Sequence, residues 1–331
     1  ASIRNFGFIT VTGQREGHTW RRAMRSRDLW SEVAPQAGID VLHRGLWVLA
    51  RRPSAADVLQ AFSQTEMGRD CRFMQADEAA IHAPELRTEG ATAALYSPHE
   101  LRVESRTAIP LLAQWLSRCH GVQFHWGQTV LGIDDGRVHT ASGEFTADRV
   151  ALCPGTELTG PVLPWLADLN LRLTRLQMMR IRPEAGFCLS AAVMADLSLV
   201  RYAGYAALPQ APALLKQLQQ EVPASLEAGI HLIAVQSADG SLVVGDSHDD
   251  DRTPEPFAQE AVDRLILGHL QEAVRLKSFE VVERWTGVYP TGHSDDAVIR
   301  APRPDLRAVV VTSGTGASTA FGLAEDVFND W

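Results

Sequence analysis

The chain has 331 residues, 45% apolar and 21% charged, which suits an ordinary globule with one large core or two intertwined units. Its net charge of −9 excludes nucleic acid as a main partner, because neutralising phosphates takes a basic face. No apolar run long enough to span a membrane and no signal segment are visible, so no membrane partner is expected and the cytoplasm is the expected location.

In chain order, Trp20, Ala23, Met24, Trp30, Val33 and Ala34 recur at intervals of three and four, which predicts a helix over 18–37 capped by Thr19. A strand around Gly45 follows over 40–50, then a helix over 54–68 capped by Ser54. Ser105 is read as the cap of a further helix, with Ile109, Leu112 and Leu116 on one face and Gly121 as its stop. Short strands are predicted over 122–126, 129–133, 137–140 and 147–153, the last broken by Pro154-Gly155. Residues 171–182 read as a long strand with projecting cationic side chains. Segments 231–235 and 241–246 form a hairpin about Asp239-Gly240. Ala258, Ala261, Val262, Leu265 and Ile266 mark one helix face.

Four widely spaced cysteines and eleven histidines show no metal-ligand spacing, so free thiols and no metal are expected. Asp249-Asp250-Asp251 beside His248 reads as a solvated turn. Opening on Ala1-Ser2-Ile3-Arg4 without methionine and stopping at Trp331 inside an apparent helix, the chain reads as a piece of a longer protein.

The last stretch, 308–325, is a buried strand, a Ser-Gly-Thr-Gly turn and a helix start, which aims backbone N–H groups and a positive helix end at whatever lies over the turn. It is similar to a dinucleotide fingerprint but lacks the downstream strand and acidic residue, which argues against an NAD enzyme.

Together, Ala1 to Gly7, Ala147 to Gly155, Asp239 to Asp246, Arg284 to Pro290 and the terminal Gly-Thr-Gly turn resemble the FAD-dependent oxidoreductases of the D-amino-acid oxidase, glycine oxidase and sarcosine oxidase superfamily. Arg4-Asn5-Phe6-Gly7, Gly245-Asp246-Ser247-His248, Gly287-Val288-Tyr289-Pro290 and Phe321 to Glu325 resemble a bacterial subgroup associated with aminophosphonate breakdown. The resemblance implies a mixed α/β fold. In it, an incomplete Rossmann-like FAD-binding domain (1–40, 95–170 and 285–331) is interleaved with an antiparallel-sheet substrate domain (41–94 and 171–284). The strand, G-x-G-x-x-G turn and helix that open the family pattern are missing from the 331 residues, so this chain is expected to hold FAD poorly by itself.

The resemblance further implies noncovalent FAD, since Gly287 lies near the position of a flavin-linking cysteine in the sarcosine oxidase branch. FAD contacts are expected from Ser2, Arg4, Asn5, Val130, Gly155, Gly314 and Gly316, and from Ala317 and Ser318, with the N–H groups of the last three facing the ring. Tyr289 stands where glycine and D-amino-acid oxidases carry a carboxylate-binding arginine, and Val243 where an oxygen-activating lysine is found. The expected reaction is oxidation of the C–N bond of a small amine, with an aminophosphonate as substrate, to an imine and then a carbonyl. A glycine- or sarcosine-type amino acid, a 2-hydroxy acid, and an inactive fragment are the alternatives. No catalytic side chain is needed beyond the flavin. Substrate-anion contacts are expected among Arg175, Arg180, Arg201, Tyr202, His248 and Tyr289, although arginine supplies 29 of the 31 basic residues and solvation is the ordinary role for each.

Overall fold

The structure is a computed structural model that describes residues 2–292 and 295–331. A ten-stranded sheet runs in the order Phe8–Ile9, Ala93–Val103, Val41–Ala50, Ala192–Ala195, Ile233–Gln236, Leu242–Gly245, Arg172–Pro183 and Asp249–Asp251. Phe279–Thr291 also pairs along Arg172–Pro183, and Arg72–Gln75 along Ala93–Val103. The pairing is antiparallel except between Val41–Ala50 and Ala192–Ala195, so the sheet is mixed.

The middle of this sheet is buried on both faces because its central strands are apolar at successive positions. Strand alternation sends Leu46, Val48, Met178 and Val243 to one core and Trp47, Leu49, Met179, Leu242 and Val244 to the other. Helices Pro53–Ser63 and Ala211–Glu221 pack into the first core, and Glu260–Ala273 into the second. Each fully buried aliphatic side chain contributes about 1.5–3 kcal/mol.

A second sheet holds Ala297–Arg303, Leu306–Val311 and Val150–Leu152, the last two in parallel. Parallel pairing carries both chains out of the sheet at the same end, which brings the 153–155 bend beside the 313–316 bend. A third, small antiparallel sheet contains Val130–Asp134, Arg137–Thr140 and Gly143–Thr146.

Helix His18–Gln36, the long strand Arg172–Pro183 and the Asp239-Gly240 hairpin lie where the sequence places them. Gly121 ends helix Ser105–His120 at φ 68°, a left-handed position suited to glycine. The helix starts differ from expectation. Pro53 takes the first helical position, so Ser54 lies inside the helix and donates to Gln217 Oε1 at 2.6 Å instead of capping. Thr19 likewise donates to Asp296 Oδ2 at 2.6 Å, and Ser105 to the Asn5 carbonyl at 3.4 Å.

Residues 122–126 find no partner strand and remain an exposed loop. Asp249–Asp251 is a paired strand rather than a free turn, lying along Arg175, Thr174 and Leu173.

Candidate active site

The two glycine bends open onto one cavity of about 840 Å³. Leu306–Val311 is a strand whose apolar run buries it, and Ser313 leads out of it into the turn. Helix Gly316–Asn329 begins at once. Ser318 N–H donates to the Thr315 carbonyl at 2.9 Å, so it is spent within the first turn instead of facing a ligand. Its hydroxyl accepts the Thr10 N–H at 2.9 Å and ties the helix to the first strand. Gly316 and Ala317 precede the first intrahelical bonds, and their N–H groups have no protein acceptor among the described residues. Beside them Gly155 sits at φ 61° with nothing within 4 Å of a Cβ built on it, so the backbone itself forms the wall.

Across the cavity lies a polar group of side chains. Arg201 and Tyr202 follow the turn Asp196–Val200, and Tyr289 comes from strand Phe279–Thr291. A Cβ on Gly314 would lie 3.6 Å from the Tyr289 ring, so the phenol adjoins the glycine turn. His231 and Asp246 face each other just beyond the hairpin, exchanging backbone hydrogen bonds of 3.3 Å. His231 Nε2 is 3.4 Å from Asp246 Oδ1, and His248 Nε2 is 4.0 Å from Oδ2, with all three side chains only 6% exposed. The two imidazoles stack at 4.7 Å.

Burial sets the charges here. It pushes the Asp246 carboxyl up to about 7 against the pull of Arg201. It holds His231 and His248 well below the usual imidazole range, with Arg201 adding to the effect. Both imidazoles are therefore neutral. His248 Nδ1 donates to the Gly229 carbonyl at 2.9 Å, which leaves Nε2 with a free lone pair. The phenols of Tyr202 and Tyr289 are raised by burial and stay protonated.

The profile of the FAD dependent oxidoreductase family, DAO, matches residues 1–329. The chain belongs to that family. No curated protein matches it. Glycine oxidase from Bacillus cereus superposes at TM-score 0.77 with 15% identity, over 100% of this chain and 85% of that one. L-proline dehydrogenase from P. horikoshii gives 0.74 and 16%, over 96% and 80%. L-alpha-glycerophosphate oxidase from Mycoplasma pneumoniae, with FAD bound, gives 0.71 and 15%, over 100% and 85%. At these identities the likeness is one of fold, and it is the mixed α/β fold of this family.

The DAO chain thus takes FAD, and its residues fit the cofactor. The free N–H groups of Gly316 and Ala317 and the bare backbone at Gly155 make a cradle for an electron-rich ring or anion, walled by Ile9, Leu176 and Val311. Ser2, Arg4, Asn5, Gly155, Gly314, Gly316, Ala317 and Ser318 all line this cavity, as do Arg201, Tyr202, His248 and Tyr289.

Three expected contacts lie elsewhere. Val130 is in the small third sheet. Arg175 is held by Asp249 Oδ2 at 2.8 Å and by the carbonyls of Glu255 and Phe257. Arg180 is held by Ser241 Oγ at 2.9 Å, by Ser237 and by Glu104. Both guanidiniums are consumed by partners that hold the long strand to its neighbours.

His231 and Asp246 were not among the expected site residues. The Asp-Gly turn carries the missing signal. It pairs Ile233 with Gly245, and a one-residue shift of register just beyond that pair sets His231 against Asp246, so the turn leads to the neighbourhood but not to the pair itself. His231, Asp246 and His248 are also a group that could hold a cation, which the linear spacing of the histidines conceals.

Proposed function

We propose that the chain oxidises the C–N bond of a small aminophosphonate to an imine, which water hydrolyses to a carbonyl. The observation that carries this reading is Arg201. It projects into the cavity, and among the described residues no carboxylate lies within ion-pair distance of it. A guanidinium flanked by two protonated phenols, Tyr202 and Tyr289, offers several donors to one anion, which suits the three oxygens of a phosphonate.

Noncovalent FAD supplies the two-electron acceptor when bound. The chain's own residues bind and orient. Arg201 fixes the anionic end of the substrate, and the buried walls exclude water from the C–N carbon. In this reading 1–40, 95–170 and 285–331 form the cofactor side, and 41–94 with 171–284 the substrate side. A relative of the same fold is named for a phosphate-bearing substrate, L-alpha-glycerophosphate. The four unpaired cysteines suit a reducing cytoplasm. No helix among the described residues is long and apolar enough to cross a membrane.

The test is anaerobic bleaching of the flavin-loaded protein. 2-Aminoethylphosphonate or its N-methyl derivative should bleach it. Bleaching by glycine or sarcosine with none by any aminophosphonate would overturn the substrate assignment.

A further inference from the structure

Asp246 presents a problem that the anion site does not solve. Its Oδ1 is buried with no hydrogen-bond partner, and Nδ1 of the neighbouring His231, the ring nitrogen other than the one facing Asp246, is likewise unpartnered. No arginine or lysine nitrogen of the described residues lies within ion-pair distance of either oxygen; the carboxylate's ionic neighbours are the two imidazoles. Neutral imidazoles do not compensate a charge, and an uncompensated buried carboxylate costs several kcal/mol. The groups facing it from the surrounding elements are Arg201, Tyr202, His231, His248 and Tyr289. Among these only Arg201 is cationic, and the preceding reading assigns it to the substrate's anion.

We propose that Asp246, flanked by His231 and His248, is the seat and the proton acceptor for the substrate's ammonium group. The proposal rests on the amine reading above and deepens it. One carboxylate oxygen and one nitrogen from each imidazole lie within 4.8 Å of one another. Three acceptors hydrogen-bonded at about 2.9 Å to one tetrahedral nitrogen span about 4.7 Å. Ligands on a tetrahedral zinc, bonded at about 2.0–2.2 Å, span only about 3.4 Å. The separations of 3.4 Å from His231 Nε2 to Asp246 Oδ1 and 4.0 Å from His248 Nε2 to Asp246 Oδ2 lie at or between these spans, so charge and not distance separates the two occupants. Arg201 on the same cavity wall opposes a divalent ion, whereas a zwitterion satisfies Arg201 and Asp246 together.

The seat also answers a chemical need. An ammonium has no lone pair with which to weaken the neighbouring C–H bond, so a proton must leave before oxidation. The N–H bond breaks, its electron pair stays on nitrogen, and the proton passes to a carboxylate oxygen of Asp246. A carboxyl that titrates near 7 is matched to that task. His248, held by Gly229 with its lone pair inward, accepts a second N–H and orients the amine.

The test compares ligands that differ only in ammonium against methyl, bound calorimetrically to the anaerobically reduced, FAD-loaded protein so that no turnover occurs. The pairs are 2-aminoethylphosphonate with propylphosphonate, and glycine with propanoate. The wild type should prefer the ammonium member at least about tenfold, the value of one charge-assisted hydrogen bond. The preference should grow as pH rises through 7 and Asp246 ionises. Asp246→Asn, which removes a buried charge and no volume, should abolish the preference and leave the methyl ligands bound as before.

An ammonium preference absent from the wild type, or unchanged in D246N, overturns the seat. Stoichiometric zinc in protein purified without chelator, lost in D246N, makes the group a metal site and also overturns it. If phosphonates fail to bind while the glycine pair shows the preference and its loss, the phosphonate reading falls and the seat stands.

Discussion

His248 donates from Nδ1 to the carbonyl of Gly229 at 2.9 Å, and Gly229 reaches it only because it carries no side chain. Its φ is +61°, and a Cβ there would lie 2.7 Å from the His248 carbonyl oxygen and 2.9 Å from the His248 Cβ. Gly229→Ala should therefore destabilise the fold by on the order of 1–3 kcal/mol and displace His248. Denaturant unfolding with steady-state kinetics checks this. Lower kcat/KM with unchanged FAD content is the expected pairing.

The arginines separate by role. Arg201→Ala should raise KM for the anionic substrate by about 10–100-fold, the loss of one or two charge-assisted bonds. Arg180→Ala should leave KM unchanged and lower stability, because it strips the Glu104 carboxylate of a partner at 3.3 Å. A shared KM effect would remove the distinction drawn from the cavity.

Asp246 also writes a pH signature on stability. Its pKa is raised from the ordinary 3.8 to about 7, so the folded protein binds the extra proton between those values. Stability from this group is full below about pH 4 and is lost as pH rises to 7, on the order of 4 kcal/mol in all. His231 and His248 act in the opposite sense, since their depressed values withdraw stability as pH falls below the usual imidazole range. Asp246→Asn should therefore raise Tm at pH 8 and change it little at pH 4. An equal shift at both pH values would contradict the assignment.

Away from the cavity, Arg52 holds Asp196 through two contacts of 3.0 and 3.1 Å, with the Asp196 side chain 2% exposed. Arg52→Ala should cost about 3–5 kcal/mol by leaving that carboxylate uncompensated. Substrate affinity should be retained at temperatures where the variant remains folded, as measured by unfolding and binding side by side.

Ser318 and Thr10 offer a further check, 308 residues apart and joined at 2.9 Å. Ser318→Ala orphans the buried Thr10 N–H and should cost about 1–3 kcal/mol. FAD affinity should fall with it, because this bond seats the cofactor-facing helix on the first strand.

Much of the fold is legible in the local pattern. The Asp239-Gly240 hairpin, the long strand from 172 and the strand, turn and helix after Leu306 follow from turn chemistry and periodicity, which act over a few residues. Cap positions were less legible. A serine or threonine beside a helix start reads as a cap in one dimension, yet Thr19, Ser54 and Ser105 are each drawn to a distant acceptor.

Charge placement was the least legible property. Arg175, Arg180 and Arg201 look alike in the chain, and only the partners supplied by other strands separate two structural clamps from one cavity cation.

The amino-acid order alone therefore carries the family, the element types and the glycine bends, since each depends on neighbours in the chain. That the bends at 155 and 314 share a cavity depends on parallel pairing between strands far apart in sequence. The Asp246 carboxyl titrates near 7 because folding removes water from it without bringing a cation into ion-pair distance, so burial outweighs the pull of Arg201, and desolvation is a property of the assembled molecule.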